Sequence, residues 1–150
     1  NSMEAYAKCI NAILEKEGID RLLMIGHSMG GYITLAFGEL FPDKLTGFGL
    51  FHSSAFADDD AKKEARSKSI DFIQANGALA FLKTSIPGLF LQPENNKACA
   101  DLIEAGKNFT VQSLVAYYIA MKNRPDRTAV LKTFNKKMIS LFIFALQSPS

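Results

Sequence analysis

The 150-residue sequence has little of what marks several common classes of protein. It holds only two cysteines, Cys9 and Cys99, which form neither a metal-ligand motif nor a disulfide framework. Its 17 basic and 15 acidic residues nearly cancel to a net charge of +2, which favours neither a nucleic-acid partner nor an acidic one. No stretch approaches the roughly 18 consecutive apolar residues of a membrane span. The cysteine usage predicts a reducing, cytoplasmic setting.

The sequence also lacks signals for secretion, for phosphate binding and for a cofactor. The stretch 1–4 lacks the basic and apolar blocks of a signal peptide, and it does not start with methionine, as expected of a piece of a longer protein. The lysine pairs at 62–63 and 136–137 are typical of solvated surface. No Gly-rich phosphate loop, dinucleotide fingerprint or metal-ligand cluster is present, so we expect no cofactor.

The chain does have enough apolar residues for a folded core. Its length and its 48% hydrophobic content suit one domain. Apolar residues three and four apart predict an amphipathic helix over 3–16, which Gly18 ends. A uniformly apolar run predicts a buried strand over 20–25. A helix to about Phe41 and a strand over 45–51 then complete the alternation of a parallel sheet with helical crossovers.

The pattern changes after the second predicted strand. Residues 56–127 carry helical segments punctuated by proline and glycine, and no strand pattern occurs among them. The acids at 58–60 suit a helix N-terminus, because the helix dipole favours negative charge there. Apolar residues over 138–145 predict a third strand. We predict helices that end near residue 76 and that cover 78–84, 94–107, 110–122 and 126–134.

The motif Gly-His-Ser-Met-Gly at 26–30 is the most informative feature of the sequence. G-x-S-x-G between a strand and a helix is typical of a nucleophile elbow, in which Ser28 occupies a strained turn and its hydroxyl stands above the sheet edge. Glycine at Gly26 and Gly30 is expected to avoid collisions, and Gly31 permits close packing on the sheet. An ordinary Gly-rich strand-to-helix turn is the alternative interpretation.

The stretches 23–32 and 41–53 resemble the core of the α/β-hydrolase family. The resemblance covers essentially the whole chain, but a complete family member has further strands before the elbow and after the last strand predicted here. It therefore implies an incomplete central fragment, with an α/β fold, a few-stranded parallel sheet and an inserted all-helical cap. The implied parts are a partial core over 1–55, the cap over 56–127 and a return to the core over 128–150.

The resemblance implies that Ser28 is the nucleophile of a hydrolase that works through an acyl-enzyme. The backbone N–H of Met29, at the start of the next helix, would be one donor of the oxyanion hole. The family takes its second donor from a loop ahead of the elbow, and residues 1–20 contain no such loop. The rest of the elbow is formed by Gly26, His27 and Gly30.

The histidine and the acid of the family's catalytic triad are not evident. His27 is expected to point away from the hydroxyl, and His52, which closes the second strand, matches a pocket-lining residue of the family. Some family members place the acid just after the strand that here ends at Phe51, which would involve Asp58 or Asp59, but helix capping explains both more simply. The tail 146–150, where the family's acid is expected, has no carboxylate side chain. The chain alone is therefore predicted to turn over substrate barely at all.

The apolar side chains that crowd 56–127 are expected to be mostly helix core, with a surplus that forms an acyl pocket and with His52 and Ser53 at its rim. The resemblance implies a small-molecule substrate, a small apolar ester or related acyl compound. Acyl transfer and C–C bond hydrolysis on the same scaffold stay open, as does a non-catalytic ligand-binding module. With part of a sheet and exposed strand edges, the fragment is also expected to fold poorly or to associate.

Overall fold

The structure, a computed structural model, describes residues 1–133 and 139–143. The chain divides into two compact units, of which unit 1 is Asn1–Asp58 with Asn123–Ser150, and unit 2 is Asp59–Lys122. The bounds predicted for a cap, 56–127, remain a prediction.

Some predicted features fall outside the described residues. These are the end of the last predicted helix at Phe134, the lysine pair at 136–137, the outer residues of the predicted strand over 138–145, and the tail 146–150.

Seven α-helices and three strands are present in the described residues. In chain order they are α1 (Met3–Lys16), β1 (Leu22–His27), α2 (Met29–Leu40), β2 (Leu45–Phe51), α3 (Asp60–Asn76), α4 (Ala78–Ser85), α5 (Lys97–Ala105), α6 (Val111–Lys122), α7 (Thr128–Thr133) and β3 (Ile139–Ile143). The three strands form one parallel sheet in the order β1-β2-β3. The predicted α/β class with a few-stranded parallel sheet is confirmed.

Helix α1 begins and ends where its sequence indicates. The Ser2 side chain caps it by accepting a hydrogen bond from the Ala5 N–H at 3.2 Å. Its buried face is formed by Met3, Ala7 and Leu14. Gly18 follows the helix with φ of 67°, a conformation that favours glycine.

One face of the sheet carries the core of unit 1. Because side chains alternate along a strand, Phe48 and Leu50 of β2 point to the same side. They are buried against Leu35 of α2 and Ala55, and Leu131 of α7 packs against this cluster. Helix α2 therefore packs on the sheet directly after the turn at the end of β1. This packing fixes the direction in which the helix leaves the turn.

The opposite face of the sheet corrects one expectation. Strand β1 was predicted to be buried on both sides, yet Leu23 is 48% exposed and Ile25 is 60% exposed. The register places them beside Gly47 and Gly49, whose lack of side chains leaves the β1 side chains uncovered on that side. Leu141 and Ile143 of β3 are also exposed. The cause is that no helix among the described residues lies on this face.

Unit 2 is built from helices α3 to α6 and contains no strand; the structure describes all of its residues. Its core cluster consists of Ile73, Ala78, Phe81 and Leu114. The single helix predicted over 94–107 is shorter, since the Asn96 side chain accepts from the Ala98 N–H and starts α5 there. Short 3₁₀ turns flank α5 at Pro93–Asn95 and Gly106–Asn108.

Candidate active site

Ser28 lies at a sharp corner between the last residue of β1 and the first residue of α2. Its backbone has φ of 51° and ψ of −117°, a region that non-glycine residues seldom occupy. Such a conformation costs of the order of 1–3 kcal/mol and persists only where the surroundings enforce it. The Ser28 residue is exposed, so the strained corner faces solvent at the carboxyl edge of the sheet.

Three hydrogen bonds enforce this corner. The Ser28 N–H donates to the Phe51 carbonyl of β2 at 2.9 Å, and the Gly31 N–H donates to the Ser28 carbonyl at 3.0 Å. The Ser53 hydroxyl donates to the same Ser28 carbonyl at 2.8 Å, and Ser53 is only 4% exposed. The last residue of β2 therefore holds the N–H of Ser28, and Ser53, two residues beyond the end of β2, helps to hold its carbonyl.

The glycines around the corner have different roles. A Cβ at Gly26 would lie 2.2 Å from the Gly30 carbonyl oxygen, so only glycine fits there. A Cβ at Gly31 would lie 2.3 Å from the Ser53 hydroxyl oxygen, which is the close packing that was expected. The expected collision at Gly30 is wrong, because a Cβ there would meet nothing within 4 Å. What Gly30 contributes to the crowding is its backbone, against which Gly26 packs.

Met29 is the first residue of α2. The first N–H groups of an α-helix have no acceptor within the helix, and the dipole makes that end partly positive. The Met29 N–H therefore lies at the partly positive end of α2, directly after Ser28.

The two histidines lie together at the carboxyl ends of β1 and β2. The His27 ring is 5.2 Å from the Phe51 ring and 5.8 Å from the His52 ring, between centroids. His52 has a positive φ of 48°, and its N–H donates to the Ile143 carbonyl of β3 at 2.8 Å. Both histidines are exposed. The structure thus places them in one aromatic cluster with Phe51.

Asp58 and Asp59, the two acids considered for the triad, each have a structural partner. The Asp58 carboxylate lies 2.8 Å from a guanidinium nitrogen of Arg124, and both side chains are buried. The Asp59 side chain caps α3 by accepting from the Lys62 N–H at 2.8 Å. That hydrogen bond and one from the Lys62 ammonium lower the pKa of Asp59. Capping therefore explains Asp59, as expected, whereas Asp58 forms an ion pair that the sequence did not suggest.

A small cavity opens beside Ser53, at the carboxyl end of β2. Its volume is about 160 Å³. Its surface is mostly apolar, and the residues that line it are Leu50, Ser53, Ser54, Ala55, Phe56, Thr128 and Leu131. The cavity lies within unit 1, and Ser53 connects its wall to the Ser28 carbonyl.

Other kinds of site are not found in the part of the chain that the structure describes. No group of three or more histidine, cysteine, aspartate or glutamate side chains there is arranged to hold a metal ion. Within the same residues, no helix is long and apolar enough to cross a membrane. Both cysteines are free, with Cys9 exposed and Cys99 buried.

Comparison with known proteins identifies the type of fold to which this corner belongs. A family profile described as the alpha/beta hydrolase fold matches residues 1–128. No protein of curated function matches the sequence.

Solved structures resemble the chain closely in fold at low sequence identity. They include a thermophilic esterase from Thermogutta terrifontis, with a TM-score of 0.80, 23% identity and coverage of 95% of this chain and 54% of that one. An esterase from Exiguobacterium antarcticum has a TM-score of 0.78, 16% identity and coverage of 94% and 54%. The enol-lactonase from Burkholderia xenovorans LB400 has a TM-score of 0.77, 12% identity and coverage of 97% and 65%. The chain thus spans about half to two thirds of the length of these proteins.

Two features of the site were missed by reasoning from the sequence. Ser53 was expected at a pocket rim and does line the cavity, but the hydrogen bond from its hydroxyl to the Ser28 carbonyl was not predicted. The sequence indicates no role for Arg124, although it pairs with Asp58. Neither contact joins residues close in sequence, so no local spacing could have indicated it. For the Ser53 contact, the available signal in the sequence was Gly31. A glycine at that position indicates that another residue lies too close for a side chain, and that residue is Ser53.

Proposed function

The chain belongs to the α/β-hydrolase fold family, and from that premise we propose that it carries the nucleophile of a serine hydrolase, Ser28. The observation that carries the proposal is the backbone of Ser28, whose φ of 51° is held by hydrogen bonds from both sides at an exposed sheet edge. Strained residues that their surroundings hold in place occur mainly at functional sites, so this backbone conformation supports a functional role for Ser28. A serine in a relaxed helix or a buried turn would offer no such argument.

The proposed reaction is acyl transfer to Ser28 and then to water. The Ser28 oxygen attacks the carbonyl carbon of the ester while a base takes its proton, and the carbonyl electrons form an oxyanion beside the Met29 N–H. Collapse of this intermediate breaks the bond to the alkoxide, which takes that proton from the base and leaves as the alcohol, so that Ser28 is left as an acyl-enzyme. Water repeats the sequence and releases the acid. We propose that the base and its acid are not among the described residues, since Asp58 and Asp59 already have partners.

The proposed substrate is a small apolar ester or related acyl compound. The cavity beside Ser53 supports this choice, because its walls are mostly apolar and its volume of about 160 Å³ suits a short acyl or alkyl group. Two of the structurally similar proteins are esterases and one is an enol-lactonase. We propose cofactor-free hydrolysis in a cytoplasmic setting, with His52 and Ser53 at the pocket rim.

Turnover of p-nitrophenyl butyrate tests the proposal. In the whole protein we expect Ser28→Ala to lower kcat by at least roughly a thousandfold, and the 150-residue chain alone to turn over close to the uncatalysed rate. Ser54→Ala is the matched control, because Ser54 also lines the cavity but makes no hydrogen bond to the corner among those described. Unchanged turnover in Ser28→Ala would refute the proposal, and fast Ser28-dependent turnover by the chain alone would place a base within it.

A second candidate is a non-catalytic binding module that keeps the corner. It is favoured because no base for Ser28 is identified among the described residues. For this candidate, the whole protein would bind an apolar acyl compound without turnover, and Ser28→Ala would leave binding unchanged. Acyl transfer and C–C bond hydrolysis share the same nucleophile, and product analysis with an added alcohol acceptor or a β-diketone substrate distinguishes them from ester hydrolysis.

A further inference from the structure

A buried ion pair lies where the chain leaves unit 1 and where it returns. Asp58 is the last residue before unit 2 begins, and Arg124 follows the return at Asn123. The Arg124 guanidinium lies 2.8 Å from the Asp58 carboxylate, and the two side chains are 5% and 1% exposed. Charges so far removed from water are tolerated only as a pair. The pair therefore holds two distant stretches of chain side by side.

The same guanidinium rests on the helix that begins after Ser28. Its central carbon lies 3.8 Å from the centroid of the Tyr32 ring, well within the range of a cation–π contact. Tyr32 is four residues after Ser28, and helix side chains lean toward the helix N-terminus. The ion pair therefore packs against the first turns of α2.

Further bonds join the same two stretches. The Arg127 N–H donates to the Ala55 carbonyl at 2.7 Å. The Asp126 carboxylate accepts from the Thr128 side chain and N–H, and these bonds, with one from the Ala57 backbone, lower the pKa of Asp126. These contacts bring the two stretches together. Arg127 also reaches α2, at Glu39 near its C-terminal end, whereas the Arg124–Asp58 pair reaches the first turns of α2 through Tyr32.

We propose that Arg124, Asp58 and Tyr32 form a clamp within unit 1 that joins the stretches of chain before and after unit 2 to the helix behind Ser28. The clamp holds residues 58 and 124 against α2, the element that begins at the corner. An arginine suits this role because its planar guanidinium pairs with a carboxylate and stacks on a ring at once, which a lysine ammonium does not. The inference does not depend on Ser28 being a nucleophile.

Hydrogen exchange measured peptide by peptide on the full chain tests the clamp. In Arg124→Gln we expect exchange to rise by roughly a hundredfold in the segments 29–33, 57–60 and 122–125, because the buried Asp58 carboxylate loses its guanidinium partner. The matched control is Arg127→Gln, which removes another buried guanidinium from unit 1. Arg127 pairs with Glu4 and Glu39 and makes no contact with Tyr32 among those described. Its loss should therefore raise exchange mainly around those two carboxylates.

Two more variants keep the test decisive. The neutral pair Asp58→Asn with Arg124→Gln should restore much of the protection, because no uncompensated charge remains. Tyr32→Leu keeps the ion pair, and we expect it to raise exchange by roughly tenfold in the same segments even if Arg124→Gln fails to fold. The clamp is refuted if Tyr32→Leu changes none of them, or if Arg124→Gln loosens them no more than Arg127→Gln does.

Discussion

At position 26 the backbone of the next helix leaves room for a hydrogen atom only. We predict that Gly26→Ala destabilises the protein by about 1–3 kcal/mol or more and displaces Ser28, since the added methyl group would lie 2.2 Å from the Gly30 carbonyl oxygen. Gly30→Ala is the matched change, and it should be neutral or stabilise α2 by up to about 1 kcal/mol, because its methyl group meets nothing. Urea unfolding of both variants checks this; equal losses would contradict the different roles assigned to the two glycines.

Single residues also show where the sequence was sufficient. The strained turn at Ser28 could be predicted because the motif that produces it is local, and the positive φ lies at that serine. The role of Gly30 was misjudged, since the motif shows that glycine occurs there but not which atoms it would meet. Asp58 was read as a cap together with Asp59, because nothing local reveals that Arg124 is its partner.

At the scale of elements, local signals set most boundaries. The helix α1 and the strand β2 have the predicted bounds, because capping, glycine and apolar spacing act within a few residues. The strand β1 runs to His27 rather than to residue 25, since its end is set by pairing of Gly26 and His27 with β2 and not by composition. The exposure of Leu23 and Ile25 could not be predicted from β1 alone, because it depends on the glycines of β2 beside them.

The start of α3 should depend on pH through Asp59. Hydrogen bonds from Lys62 lower the pKa of this carboxyl in the folded chain, so its contribution is present above the unfolded pKa and is lost as pH falls through the folded one. We predict that Asp59→Asn, which keeps a capping side chain, leaves a stability difference from wild type that shrinks as pH falls from about 5 to about 2. Thermal melts by circular dichroism measure it. A difference that grows on acidification would contradict the assigned bond.

At the scale of the molecule, the open sheet face is the feature with the widest consequence. Leu23 and Ile25 of β1, Phe51 of β2, and Leu141 and Ile143 of β3 are all more than a third exposed. A contiguous apolar face favours association, as does the outer edge of β1, which pairs with no strand among the described residues.

We predict that the chain self-associates through this face. The double substitution Leu23→Thr with Ile25→Thr should raise the dissociation constant by at least roughly tenfold, since it removes two apolar side chains from the face. Ile13→Gln is the control, because Ile13 is as exposed as Ile25 but lies on α1. Sedimentation velocity over a range of concentrations gives the constants. Equal effects of the two changes would show that the sheet face is not the contact.

The central claim is that Ser28 is a reactive nucleophile, and mapping of a fluorophosphonate adduct on the whole protein tests it most directly. Trypsin cleaves after Arg21 and Lys44, and the peptide 22–44 between them contains Ser28 as its only serine. We predict that the adduct mass appears on this peptide within minutes and disappears in Ser28→Ala, while the peptide 45–62 that holds Ser53 and Ser54 stays unmodified. An unmodified peptide 22–44 after prolonged exposure of the folded protein would contradict the claim.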